Sequence, residues 1–263
     1  MSELIPTDDR GLLLGDGLFE TLLADRGRLV WFEGHAARLA SGCSMLGLPA
    51  PDPMALRAAA DAAIAAAGLQ DARAAVRLTW TAGSGGRGLD RPPSPAPRLI
   101  ASAAVSPAPQ GPLRLATASV RRNEASPASR LKTLAYLDNV LARREAQAQG
   151  ADEALMLNTG GEVACVAAAN LFWLAQGRLC TPALECGVLN GIARAAVLEA
   201  ASAENLETAE VRAGRGALAE AEALLITNSL IGVRRIGSLD GIDLPSHPLV
   251  ERLALAVAAA MSA

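Results

Sequence analysis

Lysine is almost absent from this chain: one, Lys132, stands among 263 residues, and every other basic side chain is arginine. Tyrosine also occurs once, at Tyr136, and histidine twice, at His35 and His247. Two histidines without metal-ligand spacing argue against a zinc site or a histidine-based triad, so no metal is expected. Aromatic residues are only 3% of the chain while hydrophobic residues reach 51%, which predicts an aliphatic, alanine-rich core. No apolar run attains the roughly 18–20 residues of a membrane span, so a soluble protein is expected. Cys43, Cys165, Cys180 and Cys186 show no CxxC spacing, and no secretory leader is seen. They read as reduced thiols in a cytoplasmic protein. Net charge is −3, without a basic block, which argues against nucleic acid or a membrane as partner and for a small-molecule substrate.

The scarcity of lysine is itself informative. Arginine replaces lysine wherever a surface cation is wanted, but not where an amine must lose its proton and attack a carbonyl. A chain that uses arginine elsewhere and keeps one lysine, four residues before its one tyrosine, points to an amine nucleophile. A Schiff base to an aldehyde cofactor is the natural chemistry, against the plainer reading of a leftover surface charge.

Along the chain, strands and helices mix in two halves, an α+β pattern. Gly15-Asp16-Gly17 turns into an apolar strand, a helix starts near Glu33, and residues 53–68 form an alanine-rich helix. Arg73–Trp80 alternates as a half-buried strand. Gly83-Ser84-Gly85-Gly86-Arg87-Gly88 lacks the spacing of either standard phosphate loop; it reads as an anion-presenting loop or a flexible surface loop. The proline-rich segment 108–112 is the best linker. This predicts a small N-terminal α/β domain over 1–107 and a larger C-terminal domain over 113–263 carrying the lysine. In the second half, Gly187–Arg194 enters a helix whose N-terminus suits a phosphate. The strand Ala223–Ser229 ends in hydroxyls that offer another phosphate contact.

Together these motifs resemble the class IV pyridoxal-phosphate enzymes of fold type IV, which include branched-chain and D-amino acid aminotransferases and 4-amino-4-deoxychorismate lyases. The likeness runs from Asp9 to about Ile236. It is greatest to the lyases, through the glycine-rich segment and through Ala168-Ala169-Asn170-Leu171-Phe172-Trp173. The resemblance implies a two-domain fold like that of D-amino acid aminotransferase, pyridoxal 5'-phosphate as cofactor and a homodimer. It makes Lys132 the catalytic, cofactor-bearing lysine and Arg38 the phosphate arginine. Ile192 and Ala193 become the phosphate-holding loop, Ser229 a hydroxyl contact, and Tyr136 and Asn170 further cofactor neighbours. Arg87 and Arg121 become candidates for substrate carboxylates, which suit bidentate arginine.

One position departs from the pattern. Where the family carries a glutamate against the pyridine nitrogen, this chain has Cys165. Glu162 is three residues away and should point elsewhere. A neutral thiol does not hold the nitrogen protonated as a carboxylate does. The expected activity is therefore elimination: 4-amino-4-deoxychorismate to 4-aminobenzoate and pyruvate, a step of folate biosynthesis. The rival expectations are an aminotransferase acting on D-amino acids, branched-chain amino acids or (R)-amines, and a catalytically impaired cofactor-binding homologue.

Overall fold

The computed structural model of the chain describes residues 5–263. They divide into two compact units, one reaching to Pro107 and including Leu131–Ala135, the other made of Ala108–Arg130 and Tyr136–Ala263.

In the first unit, α1 (Arg10–Leu14) is followed by β1 (Gly17–Asp25), β2 (Arg28–Leu29), α2 (Phe32–Leu46), α3 (Pro53–Ala66), β3 (Arg73–Thr81) and β4 (Arg98–Val105). The strands form an antiparallel sheet in the order β2-β1-β3-β4. Alternation along β1 sends Leu18, Leu22 and Ala24 into the core with Leu39 and Cys43 of α2 and Leu56, Ala60 and Ile64 of α3. α2 lies so close to β1 that a Cβ on Gly42 would meet Leu18 Cδ1 at 2.8 Å.

The glycine-rich segment is pinned, not loose. Arg10, itself buried, donates to the carbonyls of Leu89 and Asp90 at 2.9 Å and pairs with Asp16 at 2.9 Å. Asp16 also takes Arg91 through Nη2 at 2.5 Å, and the two guanidinium partners hold its carboxyl below the usual range although burial opposes them. Gly83 sits at φ +78°, and a Cβ there would stand 1.9 Å from the Ala96 carbonyl oxygen.

One expectation is corrected. The sequence puts the lysine in the second domain, yet Leu131–Ala135 belongs to the first unit. The reason is strand pairing. β2 covers β1 only at Ala24 and Asp25, and the 132–134 segment extends that edge. The Phe19 N–H donates to the Lys132 carbonyl at 2.9 Å and the Leu134 N–H to the Gly17 carbonyl at 3.1 Å. Leu131 is buried in the same core.

In the second unit, β5 (Leu113–Thr117) leads to α4 (Leu137–Ala148), β6 (Glu153–Leu157), β7 (Val163–Val166), β8 (Asn170–Ala175) and β9 (Arg178–Pro182). Then come α5 (Ile192–Ala203), β10 (Thr208–Val211), α6 (Gly216–Ala219), β11 (Ala223–Asn228), β12 (Gly232–Leu239), β13 (Ile242–Asp243) and α7 (Pro248–Ser262). The strand order is β10-β9-β8-β11-β12-β5-β6-β7, with β13 on β12. Both faces of β6 are buried: Leu155 and Leu157 in a core with Leu171 and Trp173, Ala154 and Met156 in an alanine-lined core with Ala142 and Ala146 of α4. No helix among the described residues is long and apolar enough to cross a membrane.

Replacing Gly83 with alanine combines a left-handed backbone with a backbone clash and should cost more than about 2 kcal/mol. A denaturant titration of the variant against the parent checks this.

Candidate active site

In the first unit the site is organised by an acid inside an apolar stripe. Glu20 shares its face of β1 with Leu18 and Leu22 and is 1% exposed. A carboxylate so placed must be paired, and α2 supplies the partners one helical turn apart. Arg38 donates to it twice, Nε to Oε1 at 2.8 Å and Nη2 to Oε2 at 2.5 Å, and His35 Nδ1 lies 2.7 Å from Oε2. Burial alone would raise the Glu20 pKa, but the Arg38 and His35 bonds outweigh it and bring it to about 2. His35 is pushed below its ordinary value, chiefly by burial, and its Nε2 is buried without a hydrogen-bond partner.

Lys132 belongs to the same unit. Its Nζ stands 4.2 Å from the centroid of the Phe19 ring, which also takes the Arg77 guanidinium at 3.7 Å. Burial lowers the amine's pKa to about 8; Glu20 acts against this and Arg38 and Arg77 act with it. An amine so poised is a usable nucleophile and base near neutral pH.

The second unit carries the other predicted residues. α5 opens at Ile192 and Ala193, and its N-cap, Gly191, offers no capping side chain. Gly191 is fixed by packing: a Cβ there would fall 2.1 Å from Oδ1 of Asn170, whose amide donates to the Leu189 carbonyl at 2.9 Å. Asn170 pairs in register with Thr227 of β11. The Thr227 hydroxyl is buried without a hydrogen-bond partner, and Ser229, two residues on, is also buried. Tyr136 is the half-buried residue that precedes α4. Cys165 is buried opposite Met156, and burial raises its thiol pKa although Arg122 pulls the other way. Glu162 gives Cys165 no carboxylate: it is held by Arg212 at 2.9 and 3.1 Å and by Asn158 at 2.8 Å.

Arg87, in the first unit, and Arg121, in the second, are exposed. Two residues that sequence reasoning passed over carry more structure. Arg122 donates to the Ser129 carbonyl at 2.5 Å and to Asn139 at 3.3 Å, and Asn139 donates to the Ala167 carbonyl at 2.7 Å. Nothing in the pair Arg121-Arg122 distinguishes which side chain turns inward. Glu20 was also passed over, although a lone acid at i+2 spacing within an apolar stripe was a readable signal.

The class IV amino-transferase family model matches residues 17–239. The solved 4-amino-4-deoxychorismate lyase of Pseudomonas aeruginosa is 33% identical with a TM-score of 0.86, over 96% of this chain and 94% of that one. A bifunctional aminodeoxychorismate lyase / D-amino acid transaminase of Mycobacterium tuberculosis is 30% identical, over 98% of this chain and 93% of its own. A D-alanine aminotransferase of Listeria innocua is 26% identical, over 91% and 83%.

Because Lys132 is the only lysine, its ionisation is directly measurable. Labelling by an amine-directed reagent, followed on the Lys132 peptide by mass spectrometry, should rise through a midpoint near pH 8 rather than near 10.5.

Proposed function

Because the chain belongs to the class IV aminotransferase family, whose enzymes work with pyridoxal 5'-phosphate, we propose that it is a 4-amino-4-deoxychorismate lyase releasing 4-aminobenzoate and pyruvate. The observation that carries this reading is Cys165, a buried thiol with no carboxylate in its place.

Each unit carries groups of the kind the cofactor needs. Lys132 offers a partly buried amine of lowered proton affinity. The start of α5 offers backbone N–H groups beside a glycine that Asn170 leaves no room to replace, and the register partner of Asn170, Thr227, has an unsatisfied buried hydroxyl. In this reading Ile192, Ala193, Ser229 and Arg38 hold the phosphate and Tyr136 and Asn170 flank the ring. Bound at Lys132, the cofactor supplies an aldehyde for the substrate amine and a conjugated ring that spreads the electron pair left at Cα.

The chain's own part follows from its charges. Lys132, once released, accepts the Cα proton, which an amine with a pKa of about 8 does near neutral pH. Arg87 and Arg121 receive substrate carboxylates; both are exposed and carry the long reach that such binding needs. Cys165, its pKa raised by burial, is a neutral thiol at pH 7 and does not hold a proton on the ring nitrogen. That weakens the ring as an electron sink. Elimination tolerates this better than transamination, because loss of the Cα proton and the pyruvyl group makes the substrate ring aromatic. Assembly as a homodimer belongs to the same reading, supported by the exposed Leu12, Leu13 and Leu89 of the first unit.

The bifunctional relative supports a second reading, transamination of D-amino acids, and one pair of assays separates the two. Purified enzyme should release pyruvate from 4-amino-4-deoxychorismate and turn over D-alanine with 2-oxoglutarate poorly; the reverse result replaces the lyase by an aminotransferase. Lys132→Ala should lose turnover by at least about 1,000-fold, in the range expected when a nucleophile is removed. Cys165→Glu should raise transamination and leave elimination level or lower. A rise in both would show that the thiol does not tune the reaction.

A further inference from the structure

The proposed reaction puts the cofactor's phosphate at the start of α5 and gives no task to Arg194, which lies in the first turn of that helix. We propose that Arg194 is a positioning residue for the phosphate. It pins the first turn of α5 to β10 and to the end of β9, so that the N–H groups of Ile192 and Ala193 stay turned towards the anion. This rests on reading α5 as the phosphate helix.

Arg194 stands where an arginine is least expected. It is 2% exposed, and charged side chains are almost never fully buried unless paired. It also lies at the positive end of a helix, where the backbone dipole favours anions and opposes cations. The turn itself offers no compensation: it holds no acid, and its N-cap, Gly191, has no capping oxygen. The carboxylate that Arg194 does reach is Glu210, with Nη2 2.7 Å from Oε2, and the Glu210 side chain is 47% exposed. Nε of Arg194 is buried without a hydrogen-bond partner. A helix start that keeps its free N–H groups and adds a buried cation is electrostatically complete with an anion beside it.

The partners of Arg194 explain what it holds. Glu210 is in register with Thr181 of β9, and the carbonyl of Pro182, the next residue of β9, accepts from the same Nη2 at a looser 3.4 Å. Arg194 therefore grips the last rows of the β9–β10 pair. The chain that leaves β9 at Pro182 and returns in α5 contains Gly187–Gly191, and Arg194 ties its return to its departure. Asn170 of β8 limits the same turn: a Cβ on Gly191 would fall 2.1 Å from Asn170 Oδ1 and 3.3 Å from the Cβ of Arg194 itself. The first turn is thus fixed by an ion pair to one strand and by packing against another.

Equilibrium dialysis of the full-length chain against pyridoxal 5'-phosphate and against pyridoxal, which lacks the phosphate, separates an effect at α5 from general damage. The parent should hold the phosphate ester more tightly. Arg194→Gln should lose affinity for the ester by about tenfold or more, the order of one hydrogen bond to a charged group, and keep its affinity for pyridoxal. Arg194→Lys should recover part of the loss. An unchanged affinity for the ester, or an equal loss for both compounds, overturns the proposal. Should Arg194→Gln not fold, Glu210→Ala decides, because it frees the guanidinium by removing a half-exposed side chain. A loss confined to the ester then supports the pinning, and a level or higher affinity overturns it. A parent that holds neither compound would sink the cofactor reading and the proposal with it. A parent that holds both equally would sink the phosphate helix alone.

Discussion

A carboxylate removed from water among leucines has to find positive partners or give up its charge. In the first unit, Glu20 meets that constraint through a bidentate guanidinium and an imidazole one helical turn apart. Much else depends on the pairing. It sets the rotation of α2 on the sheet, because His35 and Arg38 reach the acid only when that face of the helix looks at β1. It holds in place a guanidinium whose charge lowers the proton affinity of Lys132. It also leaves an imidazole neutral in a place where a third cation would be costly. The packing of Leu18 against Gly42 and Leu39 serves the same alignment.

Lys132 shows how an amine's proton affinity is lowered without a dedicated pocket motif. Its backbone is held as an added rung on β1, its nitrogen lies on the Phe19 ring, and burial does most of the work of lowering its proton affinity. The second unit leaves the start of α5 without a capping side chain by a similar economy. Gly191 is required not by an unusual φ, which at −75° any residue adopts, but by the amide of Asn170 occupying the space a side chain would need.

The long periodic elements were legible in the sequence. β1, α2, α3, β3, β4 and α7 follow from alternation or from apolar spacing, because one face of each is buried against a single core. The unread elements are those whose pattern is broken. α1 is one turn of Arg-Gly-Leu-Leu-Leu with three exposed leucines, β9 contains a proline, and β12 carries two adjacent arginines. Lys132 was legible through its rarity. Its membership of the first unit was not, since a hydrogen-bonded rung between residues more than a hundred positions apart leaves no local trace. Arg122 was hidden beside Arg121 for the same reason: which of two neighbouring arginines turns inward is decided by the distant carbonyls of Ser129 and Gly187.

The brief return of the chain at Leu131–Ala135 has a consequence for modularity. A gene fragment ending at Pro107 would encode every helix and named strand of the first unit, yet its sheet would expose the N-terminal half of the β1 edge and lack part of its core at Leu131. An uncovered edge recruits other strands. The first unit is therefore continuous as a structure but not as a cassette. Recombination that exchanges the leading 107 residues between relatives would have to exchange five residues far downstream as well.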